Sequence, residues 1–191
     1  LAEMSNLGLP VPPGFTITTE SCIKFLENPD FFDSYLKDDI LKAVTDLERK
    51  TDKSFSGESS NLLLVSVRSG AKFSMPGMMD TILNLGLNDH RTRILAEQTN
   101  PDFAYNCYRR LLQMFADVVY GISKELFDEL LEDFEKYHGK TTKDMTLAEH
   151  QDLVNQYKEI YLKEDQCFPE NPTDQLFSAI KAVFNSWNNN R

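Results

Sequence analysis

The sequence lacks any long hydrophobic run and any excess of positive charge. No stretch approaches the roughly 20 apolar residues that a membrane-spanning helix needs, and no signal peptide is visible. Lysine and arginine number 20 against 30 aspartates and glutamates, a formal net charge of -10. Such a chain repels nucleic acid and anionic membrane surfaces. We therefore expect neither as a partner, whereas a small anion needs only a few local donors.

Cysteine and histidine are scarce as well, which removes the usual signals of a disulfide framework or a zinc site. The three cysteines are widely spaced, with no CxxC pair: Cys22, Cys107 and Cys167. We expect three reduced thiols, as in a cytosol-like compartment. The three histidines stand singly among polar residues: His90, His138 and His150. No metal site is predicted from them.

The composition is otherwise that of an ordinary globular protein. Of the 191 residues, 41% are hydrophobic, including 13 phenylalanines and 7 tyrosines, and 26% are charged. This length fits one domain, or a large subdomain, with a real core. The opening residues, Leu1-Ala-Glu-Met, have the composition of a helix interior, so we expect the chain to begin inside a longer protein.

Three short segments favour β-strands. The β-branched and aromatic run Phe15–Thr19 predicts one strand. The apolar run Leu62–Val67 predicts a strand that is buried on both faces. In Thr81–Leu87 the leucines alternate, and Asn88-Asp89 follows as a turn. We expect this last strand to lie close to the Leu62–Val67 strand.

Helical periodicity covers most of the remaining chain. The predicted helices span residues 1–7, 20–27, 38–50, 90–98, 102–120, 123–138, 147–163 and 173–187. Core positions are predicted at Ile160–Leu162, Phe184 and Trp187. The fold class is therefore α+β, a small, mostly antiparallel sheet with many helices. We expect residues 1–89 to form its strand-containing portion and residues 90–191 a helical portion of the same domain.

One segment, residues 62–81, has a composition that indicates a ligand site as well as a structural role. Its strand is followed by Arg68, which alternation places on one face with Leu64 and Ser66. A guanidinium held by a strand end can fork onto phosphate oxygens and keeps its charge. The alternative is a salt bridge to one of the many carboxylates, and without further context that alternative is favoured.

Small and flexible residues follow Arg68. Ser69-Gly70-Ala71 allows a ligand to approach the backbone closely. Ser74-Met-Pro-Gly-Met-Met holds a turn dipeptide between flexible thioethers, which suits a lid over a bound ligand. A hairpin turn whose methionines fill a core is an equal alternative. The sequence has no GxxxxGK followed by Ser or Thr, and no GxGxxG after a strand.

Two other charged clusters are expected at the surface. Arg109 and Arg110 lie in the predicted helix 102–120, and we expect both to be solvated or salt-bridged. The acidic run Asp128–Glu135 is expected to form an exposed helix face. Neither cluster is assigned to a site.

The segment around Arg68 resembles the pyruvate phosphate dikinase family. The matching runs are Val65-Ser-Val-Arg-Ser-Gly-Ala and Ser74-Met-Pro-Gly-Met-Met-Asp-Thr-Ile-Leu-Asn-Leu-Gly-Leu-Asn-Asp. The similarity continues along the whole chain, from Leu9-Pro-Val-Pro-Pro-Gly-Phe-Thr through Tyr108-Arg-Arg to Ala182-Val-Phe-Asn-Ser-Trp. A match this long is highly specific.

The resemblance implies part of an ATP-grasp-type nucleotide-binding domain. The family interconverts ATP, phosphate and pyruvate with AMP, diphosphate and phosphoenolpyruvate through a phosphohistidine. Arg68 matches an arginine that contacts the nucleotide phosphates, and the loop 74–81 matches a flexible loop that closes over them. The ATP-binding residues implied in this way are Arg68, Ser69, Gly70, Ser74, Gly77, Met78, Met79, Asp80 and Thr81.

The resemblance also implies parts that this sequence does not contain. A Gly-Gly-Lys-Gly motif precedes Leu-Ala-Glu-Met in the family, and the Mg2+ ligands lie further along. A phosphohistidine domain and a pyruvate-binding domain are the implied partners. A homodimeric full-length enzyme is implied, in the cytoplasm or in an organelle such as a plastid or glycosome. Because phosphoryl transfer needs clustered positive charge and metal ions, we expect negligible turnover from this chain alone, without catalytic residues or metal ligands of its own.

Two other functions stay open. A phosphoenolpyruvate synthase or related dikinase shares the fold, but its loop is expected to be longer and more acidic than Ser74–Asp80. A non-catalytic helical interaction module is the alternative of another class. Tight ATP binding by the isolated chain, lost in Arg68→Ala, would favour a self-sufficient nucleotide module instead.

Overall fold

A computed structural model describes residues 2–57, 59–70 and 81–187, which form a helical fold around one short hairpin. The helices are α1 (Ala2–Asn6), α2 (Thr19–Glu27), α3 (Lys37–Thr51), α4 (Asp89–Gln98), α5 (Pro101–Phe115), α6 (Glu125–His138), α7 (Leu147–Lys163) and α8 (Pro172–Ser186). The strands are β1 (Val65–Arg68) and β2 (Thr81–Leu85). Short π-helical segments lie at Phe32–Leu36 and Ala116–Tyr120, and a 3-10 turn lies at Thr142–Asp144. The predicted α+β class is confirmed.

The two strands pair antiparallel, as predicted. The partners are Val65 with Leu85, Val67 with Ile82, and Arg68 with Thr81, with an irregularity between Val65 and Val67. Asn84 adopts a left-handed φ of 62° within β2. Ile82 and Leu85, three residues apart, are consequently both fully buried, since the kink breaks the two-residue alternation.

Polar side chains begin several of the helices. Each accepts a hydrogen bond from a backbone N–H of the first turn, which would otherwise lack a partner. These N-caps are Thr18, Asn88, Asn100, Thr146 and Asn171, and Thr146 forms a capping box with Glu149. Asn88 and Asp89, predicted as a turn, therefore start α4.

The core centres on α5, which packs against α4, α7 and β2. Five aromatic side chains fill the space beside it with edge-to-face contacts: Phe115, Phe127, Tyr157, Tyr161 and Phe168. The Phe115 and Phe168 ring centroids are 5.2 Å apart. Such contacts add specificity to the burial of large apolar area.

A buried arginine, Arg91, closes the base of the hairpin. Its guanidinium donates to four backbone carbonyls: Gly86 (2.6 Å), Ser54 (2.8 Å), Gly57 (2.9 Å) and Leu63 (3.5 Å). Leu63 precedes β1 and Gly86 follows β2, so one side chain bridges the chain entering and leaving the sheet. Burial lowers the pKa of Arg91, and the Glu48 carboxylate partly offsets this.

Gln175 attaches α8 to the same base. This fully buried side chain accepts from the Gly86 N–H at 2.9 Å. Its amide group donates to the Leu87 and Pro169 carbonyls, both at 2.8 Å. Gly86 has a φ of +106°, and a Cβ there would lie 3.1 Å from the Leu63 carbonyl oxygen. The tight turn therefore needs glycine.

A second buried arginine contacts a histidine between α5 and α7. Arg109 lies 3.3 Å from Nδ1 of the fully buried His150. Because arginine only donates, Nδ1 accepts and the ring is the neutral tautomer. The Tyr105 ring stacks on His150 with centroids 5.5 Å apart. Burial lowers the pKa of His150, the Arg109 charge lowers it further, and Asp102 and Glu149 oppose both.

The prediction of a strand at Phe15–Thr19 is wrong. Thr18 has an extended backbone, but it serves as the N-cap of α2, and Thr19 is already helical. Phe15 instead lies beside Ala43 and Leu47 of α3. The β-branched composition is explained by a cap and an extended connection.

Several surface and core predictions are also wrong. Arg109, expected to be solvated or salt-bridged, is 4% exposed and contacts Nδ1 of the buried His150 inside the helical core. Leu162 and Trp187 are 65% and 46% exposed, since only part of each helix faces the core. The strand at Leu62–Val67 is not buried on both faces, because Ser66 and Arg68 face outward. The exposed acidic face of α6 is confirmed.

No helix in the described ranges has both the length and the apolar character required to cross a bilayer.

Replacing Arg91 with methionine should destabilise the fold strongly. The methionine removes every donor to the four carbonyls, and each buried acceptor left unpaired costs about 1–3 kcal/mol. We expect the free energy of unfolding, measured by urea denaturation, to fall by at least about 3 kcal/mol. Arg93→Met on the exposed side of the same helix is the matched control and should change it by less than about 0.5 kcal/mol. Equal effects of the two substitutions would contradict the role of Arg91 in holding together the base of the hairpin.

Acid should weaken the contact between Arg109 and His150. The folded protein disfavours a proton on His150, whereas in the unfolded chain it titrates near about 6.5. The contribution of His150 to the free energy of unfolding should therefore be fully present above a pH of about 6.5 and be lost progressively as the pH falls below it. We expect His150→Gln, which can still accept from Arg109, to flatten the dependence of unfolding free energy between pH 7.5 and 5. His90→Gln, at an exposed position, should leave the slope unchanged; a slope that His150→Gln does not alter would refute the assignment.

Candidate functional site

The end of the hairpin opposite Arg91 brings together several residues predicted from the sequence. Arg68 ends β1 and pairs with Thr81, the first residue of β2. Ser69 and Gly70 continue directly from Arg68. The other predicted site residues, Ser74, Gly77, Met78, Met79 and Asp80, lie outside the residues that the structure describes.

The outer face of the sheet presents this end to solvent. Ser66 and Arg68 are exposed, while Val67 on the opposite face is half-buried against the core. Within the described part of the chain, no carboxylate forms a salt bridge with the Arg68 guanidinium. The favoured alternative from composition, an ion pair, is therefore not seen among these residues.

A shallow depression lies on the sheet next to these residues. It has a volume of about 200 Å³ and is lined by Leu64, Val65, Ser66, Leu83 and Asn84. Leu64 and Leu83 are half-buried. The depression therefore has a mixed polar and apolar lining, to which Ser66 and Asn84 contribute the polar side chains.

Trp187 also reaches this end of the hairpin, although the sequence predicted it as core. It follows the last turn of α8, and its indole N–H donates to the Ser69 hydroxyl oxygen at 3.2 Å. The two residues are 118 positions apart in the chain. Only its position at a helix end, where an amphipathic indole can be half-exposed, could have signalled this role.

The geometry of the base keeps these residues together. Arg91 ties both strands to the preceding loop, and Gln175 ties α8 to the turn after β2. Helix α8 packs against both strands, and its last turns contain the buried residues Val183 and Phe184. The exposed tip can therefore carry polar groups without contributing to the core.

The described donors suit an anion. A guanidinium, two hydroxyls and the backbone beside Gly70 provide hydrogen-bond donors, and the guanidinium can bind two phosphate oxygens at once. Carboxylate ligands of the kind that Mg2+ prefers are absent among Arg68, Ser69, Gly70 and Thr81. Across the described ranges, no group of three or more His, Cys, Asp or Glu side chains forms a metal site. These residues therefore fit phosphate oxygens and do not fit Mg2+.

Comparison with known proteins identifies the family that this chain matches. Residues 28–191 match the family model described as "Pyruvate phosphate dikinase, AMP/ATP-binding domain". The chain is 45% identical over 195 residues to pyruvate, phosphate dikinase of Clostridium symbiosum, covering 100% of the chain and 22% of that protein. It is 47% identical over 193 residues to the chloroplastic enzyme of Flaveria pringlei, covering 100% and 20%.

A third relative extends the similarity to another bacterium. The chain is 44% identical over 194 residues to pyruvate, phosphate dikinase of Rhizobium meliloti, with 100% of the chain and 22% of the relative covered. The chain thus spans about a fifth of the length of the curated relatives that it matches.

Arg68 should be dispensable for folding. Its side chain is exposed at a strand end, and surface substitutions of this kind usually change stability by less than about 0.5 kcal/mol. We expect Arg68→Ala to leave the urea midpoint almost unchanged. Ile82→Ala, on the buried face opposite, should lower the free energy of unfolding by about 2–5 kcal/mol. A large loss of stability in Arg68→Ala would assign this arginine to the scaffold.

Proposed function

The chain belongs to the pyruvate phosphate dikinase family, and we propose that the tip of its β1–β2 hairpin binds the phosphates of ATP. The observation that carries the proposal is Arg68, an exposed guanidinium at the end of an anchored strand. Ser69, Gly70 and Thr81 flank it and supply further donors. The net charge of the whole chain is -10, so such a local donor cluster distinguishes this tip from the acidic surface.

The reaction proposed for the full-length protein is that of the dikinase. ATP, phosphate and pyruvate are converted to AMP, diphosphate and phosphoenolpyruvate, with a phosphohistidine as intermediate, so the protein is a transferase and a kinase. In phosphoryl transfer the protein contributes mainly by positioning the phosphates and neutralising their charge. Arg68 would do both, because its fork geometry fixes the phosphate while its charge is permanent.

Other parts of the predicted site belong to the same proposal. We expect the loop Ser74–Thr81, with Gly77, Met78, Met79 and Asp80, to close over the nucleotide. Mg2+ would screen the phosphates, held by residues outside this sequence, and the phosphate-binding lysine would also come from outside. A phosphohistidine domain, a pyruvate-binding domain and a second copy of the full-length protein are the proposed partners. The division into portions 1–89 and 90–191 likewise stays a prediction.

The family membership favours this proposal over its alternatives. The relatives reported above are named as phosphate dikinases rather than phosphoenolpyruvate synthases. An assay of the full-length protein with and without inorganic phosphate separates the two reactions, because only the phosphate dikinase consumes phosphate. If the chain were a purely structural helical module, Arg68→Ala would have no effect on any reaction of a nucleotide.

Arg68→Ala in the full-length protein should impair one half of the reaction selectively. We expect AMP formation from ATP and phosphate to slow by roughly 30- to 1000-fold, the loss of about 2–4 kcal/mol of transition-state stabilisation. Formation of pyruvate from phosphoenolpyruvate, which does not use the nucleotide site, should be unchanged. Rapid-quench measurement of each half-reaction tests this directly.

Two further variants sharpen the comparison. Arg68→Lys keeps the charge but loses the fork, so its rate should fall between the wild-type and alanine values. Arg110→Ala, an exposed arginine on α5, is the matched control and should behave as wild type. Equal losses in both half-reactions for Arg68→Ala would remove Arg68 from the nucleotide site.

A further inference from the structure

We infer that Trp187 positions the Ser69 hydroxyl as a second donor to the phosphate that Arg68 binds. This inference deepens the proposed function and rests on it. It assigns a positioning role to Trp187 and a direct ligand contact to Ser69. The ligand group is a phosphate oxygen of a nucleoside triphosphate.

The direction of the hydrogen bond between Trp187 and Ser69 carries the inference. The indole Nε1 is 3.2 Å from Ser69 Oγ, and an indole N–H can only donate. Ser69 Oγ is therefore the acceptor, and its own hydrogen must point away from the indole. No acceptor for that hydrogen is found within residues 2–57, 59–70 and 81–187. The hydroxyl is left as an oriented donor.

Ser69 adjoins the residue that is proposed to bind phosphate. Ser69 immediately follows Arg68, whose side chain is exposed at the end of β1. A phosphate bound to the guanidinium offers further oxygens within reach of neighbouring groups. An O–H donating to such an oxygen forms a short charge-assisted bond, stronger than a neutral one. The indole N–H would polarise the hydroxyl and strengthen that bond further.

Trp187 is better explained by this contact than by packing. Its side chain is 46% exposed, whereas Val183 and Phe184 in the preceding turn are both 6% exposed and belong to the buried residues of α8. The 46% exposed indole leaves nearly half of its surface in contact with water, which packing alone does not explain. Its hydrogen bond, in contrast, links the end of α8 to the residue next to Arg68.

The donor set selects the chemical class of the ligand. Arg68 has donors and no acceptors, and one lone pair of Ser69 Oγ is already used by the indole. Adenine and ribose need acceptors as well as donors for recognition. The permanent charge of Arg68 and the predominance of donors fit an oxyanion, so the phosphates rather than the base should occupy this end of the hairpin.

The hydrogen bond itself can be tested in the 191-residue chain. Trp187 is its single tryptophan, so a 15N-labelled sample gives one indole N–H resonance. We expect Ser69→Ala to shift this resonance upfield, and Ser69→Thr, which keeps a hydroxyl, to retain the wild-type position. A resonance that does not respond to Ser69→Ala would overturn the inference.

The functional consequence is tested by ATP affinity in the full-length protein. Ser69→Ala should weaken ATP binding by roughly 10- to 100-fold, as expected for a lost bond to a charged group. Trp187→Phe keeps a ring and loses only the N–H, so its effect should be smaller, yet measurable above threefold. Adding Trp187→Phe to Ser69→Ala should have no further effect, because the indole acts through the hydroxyl. Adenosine, which lacks phosphates, should bind all variants alike.

The outcomes separate the inference from the proposed function. If Arg68→Ala weakens ATP binding but Trp187→Phe and Ser69→Ala do not, the inference fails and the proposed function stands. If Arg68→Ala also has no effect, the proposed function fails. Independent, multiplicative losses from Trp187→Phe and Ser69→Ala would contradict the positioning role, as would equal losses for adenosine. Melting temperatures of all variants, expected to equal wild type, exclude a general folding defect.

Discussion

The hydrogen bonds of Arg91 are the constraint on which the sheet depends. A buried cation usually needs a counter-ion or complete hydrogen bonding. Here the guanidinium is satisfied by backbone carbonyls. Glu48, whose charge partly offsets the burial of Arg91, accepts from the Phe55 N–H at 2.6 Å. The same cation therefore fixes the loop around Ser54, the start of β1 and the turn after β2. A two-stranded hairpin alone is marginally stable, so this clamp explains how so short a sheet is held.

The clamp separates the two ends of the hairpin chemically. At the base, the side-chain donors of Arg91 and Gln175 meet backbone carbonyl acceptors. At the tip, Arg68 is exposed, and the half-exposed Trp187 donates to the Ser69 hydroxyl from the end of α8. The base therefore stabilises the hairpin, and the residues proposed to bind phosphate lie at its other end. With such a site, a net acidic protein would present a local binding surface for an anion.

Sequence patterns predicted most of the secondary structure but not the buried polar contacts. The helices at 102–120 and 147–163, for example, followed from periodicity, which is a local property. The alternation of side chains along the strand likewise predicted which face Arg68 occupies at the strand end. The burial of Arg91, Arg109 and His150 was not predicted. Polarity alone indicates an exposed side chain, and only the tertiary partners explain why these side chains are buried. The contact between Ser69 and Trp187 joins distant parts of the chain, so no local pattern contains it. The Phe15–Thr19 strand failed because strand propensity does not specify a pairing partner.

The most direct test of the account is a crystal structure of the full-length protein with a non-hydrolysable ATP analogue and Mg2+. The account predicts that the Arg68 guanidinium lies about 2.7–2.9 Å from phosphate oxygens, the usual length of a charge-assisted bond. Ser69 Oγ should contact the same phosphate group while Trp187 still donates to it. A nucleotide whose phosphates lie away from the hairpin tip, with Arg68 turned toward solvent or a carboxylate, would contradict the central claim.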